Sequence, residues 1–368
     1  MKKKVHLIVG ARPNFMKMAP LYREFSKFPN EFVLKLIHTG QHYDQRMSDF
    51  FFNDLNLPHP DVYLEVGSGT HGEQTARIMD RYEEVLMKDK PDIVFVAGDV
   101  NSTSACAIDA VKLHIPVAHL EAGLRSFDRS MPEEINRLIT DSISSWLLTP
   151  SPDADQNLLN EGISPEKIFR VGNIMIDSLI QFKDKASQSD IISKLGLSHQ
   201  NYCLITLHRP SNVDNYSGLK IIIDAFKEIS QKIKLVFPIH PRTLKQLDIL
   251  NLKAEADNIP NLLLIDPAGY YDFIKLQMEA KFILTDSGGV QEESTWFGIP
   301  CLTLRPNTER PITITEGTNQ LIPLNTSKII DASNNILSGK IKKGSIPYLW
   351  DGNTAKRIVK IFRNLNKD

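Results

Sequence analysis

The sequence has few cysteines, and none of them is spaced for a disulfide framework or a metal site. Its three cysteines, Cys106, Cys203 and Cys301, are far apart, odd in number and outside any CxxC pair. We therefore predict neither a disulfide scaffold nor a zinc knuckle. Each cysteine lies in or beside an apolar run, which predicts buried, inert thiols. Two histidines that follow predicted strands, His208 and His240, also lack metal-ligand spacing, so we predict no metal.

The sequence also lacks an excess of charge of one sign and any long hydrophobic run. Lysine and arginine total 43 against 44 acidic residues among 368, a formal net charge of −1. A protein whose main partner is nucleic acid normally has a clear basic excess, so that class is disfavoured. No apolar run approaches the ~20 residues that span a bilayer. The apolar run Val5–Ala11 contains His6 and ends at Arg12-Pro13 without a cleavage-like site, so we predict a first strand and not a signal peptide. We therefore expect a soluble, cytoplasmic protein without membrane contacts.

Short β-branched runs alternate with amphipathic segments along nearly the whole chain. The predicted strands are Val5–Val9, Val33–His38, Ile93–Ala97, Val117–Leu120, Leu147–Thr149 and Ile168–Val171, then Cys203–Leu207, Lys234–Pro238, Leu262–Ile265, Phe282–Thr285 and Cys301–Leu304. This alternation predicts an α/β fold with parallel sheets covered on both faces. Chain length and the polar stretch Lys183–Asn201 predict two Rossmann-like domains facing each other across a cleft. We place them at residues 1–177 and 178–353, and expect the C-terminal helix within 354–368 to pack back on the first.

Three carboxylates of the first domain follow the ends of predicted strands, where ligands bind in open parallel sheets. They are Asp99 in GDVNST (98–103), Glu121 after Val117–Leu120, and Glu133 in MPEEINR (131–137). Two of them have a bland explanation: Asp99 can cap a helix, and Glu133 can form a capping box with Ser130 or an ion pair with Arg137. Those explanations do not predict three acids at one sheet edge. We interpret the set as proton donors and acceptors of an active site.

Two turns have the character of phosphate sites. Arg12 lies where the first strand gives way to a helix that begins with proline, although a surface arginine is an equal alternative. In the second domain, TDSGGVQEE (285–293) joins a strand to a helix through small residues. The backbone N–H groups of Ser287, Gly288 and Gly289 could approach a diphosphate at the positive end of that helix. Glu293 is suited to the ribose hydroxyls, and Arg310 offers a further phosphate contact.

Two strand-end histidines and one glycine-rich run are further candidates for function. His208, directly after the strand ending at Leu207, is suited to acid–base chemistry near neutral pH or to capping a helix, and His240 repeats its position. Residues 67–72, GSGTHG, satisfy the G-x-G-x-x-G pattern of dinucleotide sites. They fall well inside the first domain and lack an acid at the required place, so they do not predict nicotinamide binding.

Taken together, the motifs resemble those of the non-hydrolysing UDP-N-acetylglucosamine 2-epimerases over nearly the whole chain. The matching segments are GARPNFMKMAP (10–20), TGQH (39–42), GDVNST (98–103), EAGLRSFDRSMPEEINR (121–137), GN-x-x-ID (172–177), LHRPSNVDN (207–215), TDSGGVQEE (285–293) and TERPIT (308–313). The resemblance implies the GT-B-like arrangement of two Rossmann-like domains, a homodimer and no cofactor.

The resemblance also implies a role for each matching residue. The implied catalytic residues are Asp99, Glu121, Glu133 and His208. The implied substrate- and UDP-binding residues are Arg12, Lys17, Arg209, His240, Ser287, Gly288, Gly289, Glu293 and Arg310. Gln41 and Glu134, with Arg209 and His240, fit the pattern of a second site at which some members bind UDP-N-acetylglucosamine as an activator. The chain departs from the family at Ala11, Asn14 and Ser211, and at Asp44, where that second site often has glutamine.

The implied reaction is epimerisation at C2 of UDP-N-acetylglucosamine, through elimination of UDP to 2-acetamidoglucal and its re-addition, for surface-polysaccharide precursors. Enzymes that epimerise UDP-diacetamido-glucuronate share several of the motifs, so that sugar is an alternative substrate. A GT-B glycosyltransferase would need an acceptor groove, and three acids on one rim favour epimerisation over it. A non-catalytic UDP-sugar sensor is an alternative of another class, against which the retention of the acids and His208 argues.

Overall fold

The structure, a computed structural model, describes residues 2–40, 55 and 57–365, with Arg12 described in its backbone only. The chain divides into two compact units. The first comprises the residues up to Ser178 together with those from Tyr348 onward, and the second is Leu179–Pro347. The predicted activator residue Gln41 and its neighbour Asp44 lie outside the described residues.

The first unit is built on a parallel sheet of seven strands in the order β3-β2-β1-β4-β5-β6-β7. Its strands are β1 Lys3–Val9, β2 Phe32–His38, β3 Val62–Tyr63, β4 Ile93–Ala97, β5 Val117–Leu120, β6 Trp146–Thr149 and β7 Ile168–Arg170. All six predicted strands of this half are present. The sheet adds the two-residue edge strand β3, which is the start of the run Val62–Val66 that precedes GSGTHG.

Helices cover both faces of this sheet. They are α1 Arg12–Phe25, α2 His71–Lys88, α3 Asn101–Lys112, α4 Pro132–Ile143, α5 Pro152–Asn160, α6 Ile174–Ser187 and, after the helices of the second unit, α16 Thr354–Asn364. Ile78 and Tyr82 of α2 pack with Val94 and Val96 of β4 in one core cluster. Phe95, between those valines, faces the opposite side because side chains alternate along a strand.

The C-terminal helix α16 packs on the Phe95 side of the sheet. The ring of its Phe362 lies 4.8 Å from that of Phe95 and 5.1 Å from that of Trp146. The buried carboxylate of Asp177, near the start of α6, accepts hydrogen bonds from the backbone N–H groups of Thr354 and Ala355. These two bonds satisfy donors that the first turn of a helix leaves unpaired, so Asp177 fixes where α16 begins.

The second unit has a six-stranded parallel sheet in the order β10-β9-β8-β11-β12-β13. Its strands are β8 Tyr202–Thr206, β9 Lys234–Pro238, β10 Leu262–Ile265, β11 Phe282–Thr285, β12 Cys301–Thr303 and β13 Asn319–Leu321. The prediction of an α/β fold with parallel sheets is confirmed by these two sheets. The added strand β13 is again short and lies at a sheet edge, where polar residues are tolerated.

The helices of the second unit are α7 Ile191–Lys194, α8 Pro210–Val213, α9 Tyr216–Ile229, α10 Pro241–Ile249, α11 Lys253–Asp257, α12 Tyr270–Glu279, α13 Gly288–Phe297, α14 Ile312–Thr315 and α15 Thr326–Leu337. The largest core cluster joins the apolar face of α9 to the central strands. The polar stretch Lys183–Asn201 is not a linker, because it contains the end of α6 and all of α7. The chain passes from one unit to the other after Ser178, inside α6.

Candidate active site

The carboxyl ends of β4 and β5 form two left-handed turns side by side. Gly98, after β4, has φ 67°, and Glu121, after β5, has φ 66°. A side chain at Gly98 would begin 2.6 Å from Nζ of Lys17, so both the backbone angle and this close approach favour glycine. A glutamate in the left-handed region is strained by about 1–3 kcal/mol, a cost found mostly at functional sites.

Lys17 and Glu121 form a buried ion pair at these turns. Their Nζ and Oε2 atoms are 2.6 Å apart, and both side chains are almost fully enclosed. The other oxygen, Glu121 Oε1, is buried and has no hydrogen-bond partner among the described residues. An unpaired buried acceptor is costly and needs an explanation. A ligand that supplies a hydrogen-bond donor would satisfy it.

Asp99 lies beside this pair and is more open. Its side chain is 35% exposed, and Oδ2 is 3.2 Å from the guanidinium of Arg137 on α4. Arg137 also binds Glu134 Oε2 at 2.7 Å. Asn136 donates a hydrogen bond to the Asp99 carbonyl. The first turns of α4 therefore hold Asp99 in place.

Of the two adjacent acids in α4, the structure buries Glu134 and exposes Glu133. Glu133 lies in the first turn of the helix, whose N-terminal cap is Met131. The capping box that the sequence allows between Ser130 and Glu133 does not form, because the helix starts at Pro132 and Ser130 donates its hydroxyl hydrogen bond to Asp128. Glu133 is thus the open member of the predicted carboxylate set.

Glu134 organises a loop that the sequence did not single out. Its carboxylate accepts hydrogen bonds from the backbone N–H and hydroxyl of Ser126 and from the backbone N–H of Phe127. Phe127 has φ 58°, and its side chain is 77% exposed. A left-handed angle at a residue other than glycine is strained, and the hydrogen bonds from Ser126 and Phe127 to Glu134 hold the loop in this conformation. Sequence patterns give no signal for this backbone angle.

A buried chain of charges lies behind the two turns. His119 of β5 contacts Asp141 of α4, and Asp141 pairs with Arg125 at 2.7 Å. Arg125 in turn forms a two-point ion pair with Glu161. Sequence reasoning missed this network, although a histidine inside the apolar run Val117–Leu120 was a visible signal.

The N-terminal turn is joined to the same sheet edge by Asn14. Its side chain accepts a hydrogen bond from the Ala11 backbone N–H and donates one to the Ala97 carbonyl at the end of β4. A side chain at Gly10 would collide with the hydroxyl of Ser102, so β1 and α3 approach closely here. Arg12 is the first residue of α1, and its side chain lies outside the described part of the structure.

In the second unit, Asp286 is a fully buried hub at the end of β11. Its carboxylate accepts hydrogen bonds from the backbone N–H groups of His208 and Arg209 and from the Asn212 amide. It also lies 3.1 Å from Nδ1 of His208. Burial opposes ionisation, but these bonds, led by His208, hold the pKa of Asp286 below its ordinary value.

His208 is oriented by that hub and remains open to a ligand, with 42% of its side chain exposed. His240 lies nearby, its ring 5.5 Å from that of His208. Nδ1 of His240 accepts a hydrogen bond from the Arg242 backbone N–H and so caps α10. Burial, followed by the nearby His208, lowers the pKa of His240. The structure therefore brings the two predicted strand-end histidines together.

The glycine turn follows directly from Asp286. Ser287 is the cap of α13, Gly288 its first residue and Gly289 its second. A side chain at Gly288 would begin 2.6 Å from the guanidinium of Arg310, whereas one at Gly289 would meet no atom within 4 Å. The packing of the protein therefore does not require glycine at position 289. Open space beside helix N–H groups is what an approaching phosphate requires.

Three arginines and two glutamates lie beside this turn. Arg305 pairs with both oxygens of Glu309, Arg209 is 3.4 Å from Glu309, and Arg310 is 2.9 Å from Glu292. Burial opposes ionisation of Glu309, but Arg305 and Arg310 hold the pKa of this carboxyl well below its usual range. Burial and the charge of Arg305 lower the pKa of Arg209. The three guanidinium groups beside the turn are donors suited to an anion.

Glu293, which the sequence assigns to ribose, lies one turn into α13. It is buried, and its Oε2 accepts a hydrogen bond of 2.6 Å from the Gln277 amide. Gln291 supports the same turn from below, since it donates to the Ser287 carbonyl and accepts from Thr308. The described residues contain no group of three or more His, Cys, Asp or Glu side chains arranged for a metal ion.

Comparison with known proteins identifies the family to which this chain is similar. A family model described as UDP-N-acetylglucosamine 2-epimerase matches residues 25–363. A UDP-N-acetylglucosamine 2-epimerase homolog of Methanococcus maripaludis is 47% identical over 98% of this chain and 100% of its own. A UDP-2,3-diacetamido-2,3-dideoxy-D-glucuronate 2-epimerase of Pseudomonas aeruginosa is 40% identical over 98% of this chain and 100% of its own.

In the described part of this chain, no helix is long and apolar enough to cross a membrane. A solved structure is also similar to nearly the whole chain. The crystal structure of Methanocaldococcus jannaschii UDP-GlcNAc 2-epimerase, in complex with UDP-GlcNAc and UDP, has a TM-score of 0.89 and 44% identity. The similarity covers 98% of this chain and 99% of that one. The chain therefore belongs to the UDP-N-acetylglucosamine 2-epimerase family of isomerases, which have the GT-B-like fold.

Proposed function

We propose that this chain interconverts UDP-N-acetylglucosamine and UDP-N-acetylmannosamine by inverting C2 of the sugar. The observation that carries the proposal is Glu121, a strained and buried carboxylate with one oxygen on Lys17 and the other without a partner among the described residues. Asp99 lies at the neighbouring strand end and Glu133 on the first turn of α4. Three carboxylates of unequal exposure are suited to give and take a proton on opposite faces of one carbon.

We assign the nucleotide diphosphate to the second unit. The turn of Ser287, Gly288 and Gly289 presents helix N–H groups beside open space, and Arg310 lies over Gly288. Helix N-termini and arginines both favour phosphate oxygens. The M. jannaschii relative of the same fold binds UDP and UDP-GlcNAc. We assign Glu293 to the ribose hydroxyls, and Arg12 and Lys17 to substrate contacts in the first unit.

The proposed chemistry is elimination followed by addition. A carboxylate removes the C2 proton while the C1–O bond breaks, and UDP leaves with the bonding pair to give 2-acetamidoglucal. UDP then adds to C1, and a protonated carboxyl returns a proton to C2 from the opposite face. The C2 proton is not acidic, so departure of UDP must build positive charge on the ring, which nearby carboxylates stabilise. The sugar ends at the same oxidation level, so no redox cofactor takes part.

His208 is assigned to the departing diphosphate. Its Nδ1 is engaged with Asp286, which fixes the ring, and the side chain is partly exposed one element away from the glycine turn. A histidine so oriented can donate a hydrogen bond or a proton to UDP as negative charge develops on it. The Asp286 hub thus ties His208 and the Ser287 turn to one rigid point.

We further propose that the enzyme is a cytoplasmic homodimer that supplies surface-polysaccharide precursors. The resemblance also implies activation by UDP-N-acetylglucosamine, with Glu134 as one contact of the activator in the first unit. Against a strong activating contact at Glu134, both of its oxygens are already occupied by Ser126, Phe127 and Arg137. The Pseudomonas relative supports UDP-diacetamido-glucuronate as an alternative substrate.

The test is proton NMR of UDP-N-acetylglucosamine with the protein in D2O. We expect the manno epimer to appear, with deuterium at C2 of both recovered sugars. The same incubation with UDP-diacetamido-glucuronate compares the two substrates. Sugar bound without turnover would point to a sensor, and turnover only when an acceptor is added would point to a glycosyltransferase.

Matched variants separate the carboxylate chemistry from simple loss of charge. Asp99→Asn and Glu133→Gln should abolish most of the exchange at C2. Glu84→Gln removes an exposed acid of α2 that pairs with Lys88 of the same helix, so it should leave exchange unchanged. Wild-type exchange in both of the first two variants would rule out the carboxylate mechanism.

A further inference from the structure

His119 lies directly beneath the two turns that carry Asp99 and Glu121. It is a fully buried residue of β5. Its Nε2 is 2.8 Å from the carbonyl oxygen of Gly98, the residue before Asp99. Its Nδ1 is 2.6 Å from Oδ1 of Asp141. The ring therefore bridges the end of β4 to α4.

The partners of His119 determine which of its nitrogens carry hydrogens. A peptide carbonyl can only accept, so Nε2 must donate to Gly98. Asp141 Oδ2 receives the backbone N–H of Gly123 at 3.1 Å and the guanidinium of Arg125 at 2.7 Å. Asp141 is thus a carboxylate, and Nδ1 must donate to it as well.

We propose that His119 and Asp141 form a positioning pair for the epimerisation, in which a doubly protonated His119 ties the Gly98 carbonyl to Asp141. The proposal rests on the function assigned above. The charged group that contacts the His119 ring is Asp141 of α4. Asp141 pairs with Arg125 of the loop after β5, and Arg125 pairs with Glu161 after α5. The four groups sum to zero net charge, so the pair can remain buried and ionised.

The pair acts on catalysis through the backbone. Gly98 has a left-handed angle and no side chain, so the peptide planes on either side of it are freer to rotate than those of a residue with a side chain. The hydrogen bond from His119 fixes the plane that joins Gly98 to Asp99, and the bond from the Gly98 N–H to the Leu120 carbonyl, 3.0 Å long, fixes the preceding plane. Asp99 then has a defined direction. Asp141 fixes the Glu121 side of the site in the same way, through its bond to Gly123.

The test is His119→Gln, which keeps the size of the side chain but not two simultaneous donors. Misplacement of a reacting group by about 1 Å costs on the order of 10²-fold in rate, so kcat should fall by about that factor. KM for UDP-N-acetylglucosamine and the Kd for UDP should stay within about twofold, because the nucleotide contacts are untouched. His6→Gln is the matched control. His6 is equally buried, on β1 of the same sheet, and its ring nitrogens lie 3.3 Å from the Tyr82 hydroxyl and 3.7 Å from Asp89, away from the turns.

Each result decides the proposal. Wild-type kcat in His119→Gln, with Asp99→Asn inactive, would refute the positioning pair and leave the proposed function standing. Wild-type turnover in Asp99→Asn would instead count against the proposed function. If His119→Gln does not fold, 15N NMR of the histidine-labelled wild-type protein at the assay pH decides. The pair requires hydrogens on both ring nitrogens of His119, and one bare nitrogen would overturn it.

Discussion

The glycine turn of the second unit makes opposite predictions for stability and for binding when Gly289 is replaced by alanine. A Cβ at this position would meet no atom within 4 Å, and Gly289 is the second residue of α13 without a positive φ. Alanine is a better helix former than glycine by up to about 1 kcal/mol. For a unit of this size, that gain raises Tm by about 2–4 °C. The variant should therefore be at least as stable as the wild type.

Binding of UDP should move the other way in Gly289→Ala. The new methyl group would fill the space through which a phosphate reaches the N–H groups of α13. A hydrogen bond to a charged group contributes about 1.5–3 kcal/mol. Loss of one such bond would raise the Kd for UDP by about 10- to 100-fold. Isothermal titration calorimetry with UDP, together with thermal unfolding, measures both effects.

Gly72→Ala is the matched control for that variant. Gly72 is likewise the second residue of a helix, α2, and a Cβ there would also meet no atom within 4 Å. It should show the same small gain in Tm with an unchanged Kd for UDP. Wild-type UDP affinity in Gly289→Ala would refute the assignment of the diphosphate to this turn, whatever the change in Tm.

Three further predictions concern the first unit. Asp99→Asn and Glu133→Gln should each lower kcat by roughly 10²–10⁴, the scale of a lost acid or base, as measured by the rate of C2 deuteration. Burial, then Glu83, raises the pKa of Asp109 to about 7, and its Oδ2 is buried without a hydrogen-bond partner in the described structure. Between about pH 4 and pH 7 the Asp109 carboxyl is protonated in the folded state and ionised in the unfolded state, so the free energy of unfolding falls as pH rises through that window. Asp109→Asn should therefore raise Tm at pH 8 but not at pH 4. Asp177→Ala should cost about 1–2 kcal/mol in denaturant unfolding, because it uncaps α16, and an unchanged midpoint would contradict that role.

Much of the fold follows from local sequence because buried parallel strands read as apolar runs. Ile93–Ala97 and Val117–Leu120 were predicted with the bounds that the structure gives them. The strand Asn319–Leu321 was missed, and of the predicted strand Val62–Val66 before GSGTHG the structure pairs Val62–Tyr63. Both lie at sheet edges, where pairing on one side alone asks for little apolar character. Their place is set by the neighbouring strand and not by their own composition.

The carboxylate site was predicted only in part. The sequence indicated that Asp99, Glu121 and Glu133 follow strands or begin a helix. It did not tell which of Glu133 and Glu134 turns inward, because that depends on where α4 starts. The helix begins at Pro132, and this phase buries Glu134 against Ser126 and leaves Glu133 in the open.

The sequence by itself determined the class of fold, the family and the positions at strand ends where polar residues gather. These are local features, carried by apolar periodicity and by motifs read in order along the chain. Only the tertiary structure decided that Lys17 pairs with Glu121, that Arg137 joins Asp99 to Glu134, and that His119 bridges Gly98 and Asp141. Those partners lie on segments distant in sequence. They meet because β1, β4 and β5 are neighbours in the sheet, and that order arises from packing across the whole unit.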